Sequence, residues 1–386
     1  MTPVSVSSPA ATATLVRPRE LTLATLRAVL WGLLVSKMVA GWGVQWDIQW
    51  HFLIGRDTFW IPPHVMTYSG VGLAVLLSFG LLAWTTFSAP RSLPPHLVSV
   101  LGIVGTRGTH IAAWGIALTV LAAPIDDLWH RIFGIDVTLW SPPHLLGIAG
   151  AAVNTIGCFA LAREAYPAGS RARIVTLVWA GGLLFGVLHF AIQPTQMYAY
   201  LYGGLAFHGY ALLAPVLLPL GLIAAARLSD WRWAPLVAMI VIVLTGMIGR
   251  QISSAGFAVL QPVSVIQAEI AKDARSPIAV GHAIAAKNGV EPARAGASQP
   301  FVALLPALVL VAVDPRRRAV LATVAYALTI FVIMGVRLAG QPAFTPVVPG
   351  VGVTLLAALI TVLVALASGL AIRRISDALA AATPQD

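Results

Sequence analysis

Long apolar runs constrain this chain more than any other feature. A helix that crosses a bilayer needs about 20 mostly apolar residues. Ten such runs fall near 22–43, 65–88, 98–122, 144–163, 173–192, 200–226, 234–259, 299–313, 319–340 and 348–372. They are continuous rather than alternating, which favours helices over a barrel. The sequence therefore predicts an all-α, polytopic membrane helical bundle with about ten transmembrane helices, the short eighth run fitting a re-entrant segment as well.

The charge content agrees with a chain that is solvated by lipid. Only 10% of the 386 residues are charged, whereas a water-soluble domain has about 25%. The net charge of +10 comes from short basic clusters between the apolar runs, where the positive-inside rule places them. A nucleic-acid-binding protein would gather such charge on one soluble face. We therefore expect a lipid bilayer as the partner and no nucleic acid.

The basic clusters also predict the orientation. They occupy the segment before the first run, the even-numbered connections and the segment after the last run. This distribution favours both termini in the cytoplasm of a bacterium, with the chain in the inner (cytoplasmic) membrane. The clusters are Arg17 with Arg19, Arg91, Arg163 with Arg171, Arg227 with Arg232, Arg316 with Arg317 and Arg318, and Arg373 with Arg374.

The same patterns divide the chain into six parts. Residues 260–298 are the one sizeable polar connection, read as one or two short surface helices that form a lid or a solvated loop without a role. The single cysteine, Cys158, excludes a disulfide or a thiolate cluster. The parts are a disordered cytoplasmic tail (1–18), a duplicated four-helix metal-binding unit (19–165), helices five to seven (166–259), the extracytoplasmic loop or lid (260–298), helices eight to ten (299–375) and a cytoplasmic tail (376–386).

Two connections on the predicted outer face are copies of each other. The first runs Asp47-Ile-Gln-Trp-His51 and continues with Gly55, Asp57, Trp60, Pro62, Pro63, His64 and Gly70. The second runs Asp126-Asp-Leu-Trp-His130 and continues with Gly134, Asp136, Trp140, Pro142, Pro143, His144 and Gly150. Ten positions agree across a single one-residue insertion. The pattern indicates duplication of a helix–loop–helix unit in the same orientation.

Each copy has the residue types of a metal site. An Asp and a His four residues apart share one helix face, and a Pro-Pro pair begins a new helix whose first turn carries a second His. We predict metal ligands at Asp47, His51 and His64 and at Asp126, His130 and His144, with open positions for water, oxygen or substrate. A structural, salt-bridged Asp–His pair is the alternative.

Four further residues are candidates near these motifs. Asp57 and Asp136 either orient ligand imidazoles or cap the following helix. His189 and His208 fall at the same predicted depth as the motifs, beside Gln193, Gln196 and several tyrosines. They are additional ligand candidates by the rule that ionisable residues inside spans are functional. Taken singly, each is more simply a packing histidine bonded to a neighbouring carbonyl.

Residues 44–150 resemble the C subunit of the particulate methane and ammonia monooxygenases, a copper-dependent membrane family. The resemblance rests on Asp47-Ile-Gln-Trp-His51, on Arg56-Asp57-Thr58 and on Pro63-His64, which match the family's Asp-x3-His-x12-His motif. Asp126, His130 and His144 match the spacing of the family's second intramembrane site. It implies two neighbouring copper sites that face the outer side of the membrane and serve hydrocarbon or ammonia oxidation.

Three departures accompany the resemblance. The family's second site has an amide where this chain has Asp126, which would add negative charge and favour iron or a more oxidised metal. The family subunit is shorter, so residues 165–386 have no counterpart. Its members also act with two partner subunits, which implies partner membrane subunits or a homo-oligomer here.

The leading functional hypothesis is a membrane-bound metal oxidase or monooxygenase. Two Asp/His/His sites would bind copper, with iron or zinc as alternatives, and an apolar substrate or ammonia would react there with dioxygen. One rival is a metal-ion or small-solute transporter, which many spans and a parallel duplication suit equally well. Another is a non-catalytic subunit that its metal sites stabilise.

Overall fold

A computed structural model describes residues 21–55, 58–133, 139–292 and 300–382. The first half contains α1 (Leu23–Leu53), α2 (Pro62–Ser88), β1 (Val98–Val100), β2 (Ile103–Gly105), α3 (Arg107–Phe133), α4 (Pro142–Ala165) and α5 (Arg171–Ile192). The second contains α6 (Thr195–Tyr202), α7 (Gly204–Phe207), α8 (Gly209–Leu217), α9 (Pro219–Ser229), α10 (Ala234–Leu260), α11 (Ile266–Lys272), α12 (Pro277–Lys287), α13 (Pro300–Val313), α14 (Ala319–Ala339) and α15 (Val351–Ala382).

The predicted helical membrane bundle is confirmed. Over the described ranges, nine helical segments are long and apolar enough to cross a membrane. The eighth predicted run forms α13, whose 14 residues span about 21 Å and are shorter than the roughly 30 Å hydrocarbon core. The nine segments are Leu23–Leu53, Pro62–Ser88, Arg107–Phe133, Pro142–Ala165, Arg171–Tyr202, Gly209–Ser229, Ala234–Leu260, Ala319–Ala339 and Val351–Ala381.

The third predicted run, 98–122, begins before the helix that the structure shows there. Residues 98–105 form an antiparallel hairpin, with Val98 opposite Gly105 and Val100 opposite Ile103. Its turn residues Leu101 and Gly102 both have positive φ, the geometry of a tight two-residue hairpin turn. A short apolar run rich in Val and Ile fits strand and helix equally well by periodicity. The helix starts at Arg107, so Arg107 and His110 lie in its first turn.

The sixth predicted run is broken. Gly203 (φ 56°) and Gly204 (φ 54°) reverse the chain after α6, and a second interruption at His208 (φ −92°, ψ 5°) separates α7 from α8. Glycine reaches positive φ without the clash of a side chain. The start of the predicted run therefore forms the short helices α6 and α7, and the continuous span of this region begins only at Gly209.

Helix pairing places both copies of the motif at one face. α1 packs on α2 and α3 on α4, while α4 also contacts α1 and α5. Since the spans alternate in direction, the ends of α1, α3 and α5 share a face with the starts of α2 and α4. We call this the cluster face. The main core between these helices is aliphatic and includes Leu30, Leu33, Phe159 and Leu184.

Residues 261–290, here called the strap, run across the cluster face. As expected, they contain two short helices, α11 and α12. The strap is joined to the end of α1 by hydrogen bonds from Val265 N to Ile54 O (2.8 Å) and from Ser264 Oγ to Leu53 O (2.6 Å). Its far end is joined to the connection after α14, because Asn288 bonds with Gln341 and with the backbone of Ala343.

Candidate metal centre

The first copy of the motif brings its three predicted ligands together. Asp47 and His51 occupy successive turns near the end of α1, and His64 lies in the first turn of α2, which begins with Pro62 and Pro63. Asp47 Oδ1 lies 3.1 Å from His64 Nε2 and 3.4 Å from His51 Nδ1. One carboxylate oxygen therefore contacts both imidazoles.

A hydrogen bond from His64 to the backbone determines which ring nitrogen faces the Asp47 carboxylate. Its Nδ1 donates to the carbonyl oxygen of Thr58 at 3.1 Å, so Nδ1 carries a proton, since a carbonyl can only accept. In a neutral ring the lone pair then lies on Nε2, the atom nearest Asp47. A lone pair and a carboxylate oxygen repel each other at this distance. Either a second proton or another cation must lie between Nε2 and Asp47.

His51 is held differently. Its Nδ1 donates to the backbone carbonyl of Asp47 at 2.9 Å, one helical turn earlier. In the neutral ring, the lone pair is then on Nε2, at the other side of the ring from the atom that approaches Asp47 Oδ1. His51 would have to turn about χ2 to place a lone pair beside Asp47 and His64.

The second copy repeats the main contact. Asp126 Oδ1 lies 3.3 Å from His144 Nε2. The helix α4 begins with Pro142 and Pro143 directly before His144, as α2 begins with two prolines directly before His64. The carboxylates and the imidazoles are about a quarter exposed in both copies. The equivalence of Asp47–His64 and Asp126–His144 thus extends from the spacing in the sequence to the contact between side chains.

Close helix packing holds the two copies in the same geometry. A methyl group on Gly70 would lie 2.5 Å from the backbone nitrogen of Ala40, and one on Gly150 would lie 2.5 Å from that of Thr119. Thr119 follows Ala40 by 79 residues, the same shift that relates Asp126 to Asp47. Both helix pairs therefore touch backbone to backbone at the same place, which only glycine allows.

The surroundings of the first copy are aromatic and are partly covered by the strap. Trp46 and Trp50 pack with Phe257 of α10, and Tyr68 lies with its ring 5.7 Å from that of His64. On the strap, His282 Nε2 donates to Phe52 O at 2.8 Å, one residue beyond His51. Gly55 has a positive φ of 75° and packs on Ile266 and Glu269 of α11.

The second copy has other neighbours. Trp140 donates from Nε1 to Ala191 O at 2.6 Å, at the end of α5. The Trp140 ring also stacks on Tyr198 of α6 with 4.8 Å between centroids. Tyr68 has no aromatic equivalent here, because the matching residue is Ile148.

The donor geometry fits a metal in part. Two donors bound at about 2.0–2.1 Å in a tetrahedral site lie about 3.3 Å apart, close to the contacts Asp47–His64 and Asp126–His144. A third donor is not in position: within the described residues, no group of three or more His, Cys, Asp and Glu side chains is arranged to hold a metal ion. Among the described side chains, each copy thus offers two donors at the separation that a shared metal ion requires.

Several predicted residues cannot be placed in this geometry. Asp57, Asp136 and Gly134 lie outside the described residues, as does the side chain of His130. The predicted role of His130 as a ligand, and those of Asp57 and Asp136 as orienting acceptors or helix caps, stay predictions.

His189 and His208 lie in a separate region. The ring of His189 is 5.9 Å from that of Phe185 and 6.1 Å from that of Tyr210, while His208 stacks on Phe331 of α14 at 4.8 Å. Their described contacts are with α5, α8 and α14, and not with the Asp/His pairs. His208 has no hydrogen bond to a described carbonyl from its buried Nε2.

Sequence reasoning missed one polar contact inside the membrane. Lys37 of α1 donates from Nζ to Asn154 Oδ1 of α4, and Asn154 in turn donates to Ala112 O of α3. A lysine in the middle of an apolar run is itself the signal that could have found it. Under the repeat, the matching residues are Ile116 and Ala74, so the pair occurs in only one of two equivalent positions.

Comparison with known proteins does not place the chain in a family. No family model, no curated protein and no solved structure matches it. The resemblance of residues 44–150 to the monooxygenase C subunit therefore rests on its motif residues alone.

Proposed function

We propose that this chain is a membrane-bound metal protein, related in function to copper-dependent oxidases and monooxygenases. Asp47, His51 and His64 would hold one ion at the cluster face and Asp126, His130 and His144 another. The observation that carries the proposal is the repeated contact of a carboxylate oxygen with an imidazole Nε2, at 3.1 Å and 3.3 Å. A bound copper ion would supply redox chemistry with dioxygen.

The protein's own groups would select and orient the ligands. Thr58 O fixes the His64 ring so that Nε2 faces Asp47, the arrangement in which a carbonyl behind a histidine sets its ligand nitrogen. His51 would complete the site by exchanging its bond to Asp47 O for the ion. The aromatic rings of Trp46, Trp50 and Phe257 would limit water on one side.

Metal analysis of matched variants tests the proposal. The full chain is purified, treated with a chelator, dialysed, and offered Cu²⁺, Fe²⁺ or Zn²⁺ separately. We expect up to two ions per chain in the wild type, about one in the Asp47→Asn/His64→Gln variant, and none in a variant changed at Asp126 and His144 as well. His96→Ala, an exposed histidine away from both motifs, is the matched control and should bind as the wild type does.

The outcome also separates the functional classes. Oxygen uptake by the copper-loaded protein with a short alkane or ammonia would support the oxidase. Metal-dependent flux in proteoliposomes would support transport instead, and tight metal without turnover would support a metal-stabilised, non-catalytic subunit. If metal uptake is unaffected by the Asp47 and Asp126 variants, the pairs are imidazolium–carboxylate salt bridges and the proposal is wrong.

A further inference from the structure

The two copies of the repeat differ in how the first helix of each is covered. In the first copy, α1 packs along α10. Trp42 donates from Nε1 to Thr245 O at 2.9 Å, and the ring of Trp46 packs against that of Phe257. The last turn of α1 is bonded to the strap. One face of α1 is therefore enclosed by a neighbouring transmembrane helix and by the strap.

The equivalent face of α3 is exposed. With the shift of 79 residues that relates the copies, Trp46 corresponds to Ile125 and Ile54 to Phe133. Trp46 and Ile54 are 8% and 6% exposed, whereas Ile125 and Phe133 are 37% and 66% exposed. In the described part of the chain α3 packs on α4 and α2, and neither helix covers this face. Where α1 has a helix beside it, α3 thus presents an open apolar surface.

The exposed residues of this face have the spacing of a helix–helix contact. Large apolar side chains follow one another at alternating intervals of four and three residues along most of α3. An apolar repeat of 3.5 residues keeps one helix face in register with a second helix that has the same repeat. Such a face can complement itself, which a two-fold contact requires. We call these residues the α3 seam: Trp114, Leu118, Leu121, Ile125, Leu128 and Ile132.

Lipid alone does not suit the end of the seam at the cluster face. Asp127 and Arg131 form an ion pair at 2.6 Å and are both more than half exposed, beside the exposed Leu128 and Ile132. Exposed charges at membrane depth are costly, and water at this level would meet large exposed apolar side chains. A protein contact suits both, because it buries the apolar side chains and leaves the charged groups at a polar rim. One acid and one base per chain also bring no net charge to a contact between two copies.

We propose that two copies of this chain associate through the α3 seam. Copies inserted in one membrane have the same orientation, so the two α3 helices run parallel about a two-fold axis normal to the membrane. Their apolar side chains interdigitate, since van der Waals packing drives the association of helices in lipid. The second copy of the repeat thereby gains a neighbouring helix, as the first has in α10. The contact does not rest on the metal proposal.

Cysteine crosslinking of the full chain in native membranes tests the seam. The buried Cys158 is replaced by alanine, and single cysteines are introduced by Leu121→Cys and Leu128→Cys. The controls are Val120→Cys, on the same helix, and Leu355→Cys, near the start of α15. All four positions are exposed, but only the first two belong to the seam. Oxidation with iodine should link the seam variants into dimers at several times the yield of the controls.

A matched pair of double variants tests whether the seam stabilises the dimer. Single-molecule photobleaching in liposomes of increasing lipid-to-protein ratio measures the dimer fraction. Leu128→Ala/Ile132→Ala should weaken association by about tenfold or more, because packing contacts are lost from both copies. Leu355→Ala/Leu359→Ala, at comparably exposed positions of α15, should associate as the wild type does. Since all four side chains are exposed in the single chain, both variants should keep the far-UV circular dichroism of the wild type.

Several results would overturn the proposal, and each identifies what covers the α3 seam instead. A wild-type chain that stays monomeric at every lipid ratio would show that lipid covers it. Leu128→Cys linked only to a different polypeptide would assign the face to another subunit. Leu128→Cys linked into dimers no better than Leu355→Cys, or equal loss of association in the two double variants, would show that any dimer forms through another surface.

Discussion

The two copies of the motif share their helix geometry but differ in what surrounds them. In both, a glycine of the second helix touches the backbone of the first, and a carboxylate contacts a histidine Nε2 at nearly the same distance. The first copy adjoins Tyr68, α10 and the strap, whereas the second adjoins Trp140, Tyr198 and the end of α5. The two copies thus share the internal frame of the unit, while their neighbours differ.

The largest effect on stability should come from the Lys37–Asn154 pair, which occurs at only one of the two equivalent positions of the repeat. Asn154→Ala removes the acceptor of Lys37, and we expect the free energy of unfolding to fall by about 3 kcal/mol because an amine is left without a partner in an apolar interior. Denaturant unfolding in detergent measures it.

The double variant Lys37→Ile/Asn154→Ala is the control for that prediction. It recreates the apolar Ile116 and Ala74 of the equivalent position and should recover most of the lost stability. If the double variant is as unstable as the single one, the two positions are not equivalent.

Substitutions at the two equivalent glycine contacts should lower the free energy of unfolding by similar amounts. Gly70→Ala and Gly150→Ala each force a methyl group against backbone, and we expect each to lower the free energy of unfolding by about 1–3 kcal/mol. Gly72→Ala, on the same helix with open space around it, should instead stabilise by up to about 1 kcal/mol through helix propensity. Clearly unequal losses at the two contacts would weaken the structural equivalence of the copies.

The smallest expected effect on stability tests whether the two copies differ in their surroundings. His282→Ala removes the hydrogen bond from the strap to Phe52 O, worth about 1 kcal/mol. We expect faster hydrogen exchange in α11, α12 and the last turn of α1, with no change around Asp126 and His144. The exposed His96→Ala variant should exchange as the wild type does. Exchange that accelerates equally in both copies would show that the strap is not specific to the first.

Much of this architecture could be predicted from the order of residue types. The spans followed from run length, and the side-chain contact of Asp47 with His64 followed from an i, i+4 pair joined to a Pro-Pro helix start. The hairpin at 98–105 could not be separated from a span, because Val-Ser-Val-Leu-Gly-Ile-Val has no decisive periodicity. The break in the sixth run was equally hidden, since glycine also occurs within membrane helices.

Contacts between distant segments were beyond sequence reasoning for a different reason. The partner of Lys37 is 117 residues away, and the distance along the chain contains no information about which helix packs beside which. The same holds for His189 and His208, whose predicted depth was shared with the motifs but whose described ring contacts are with Phe185, Tyr210 and Phe331. The orientation of His51 is set by a backbone carbonyl of its own helix, a choice between rotamers that residue type does not decide.

The strap has a consequence for how the protein is made. α1 is the first described helix to be synthesised, but its last carbonyl groups accept hydrogen bonds from Ser264 and His282, which follow them by 211 and 230 residues. At about 5–20 residues per second, the ribosome supplies these donors on the order of ten to forty seconds later. The end of α1 beside His51 is therefore completed only after α10 has been translated, although its own residues are among the earliest to enter the membrane.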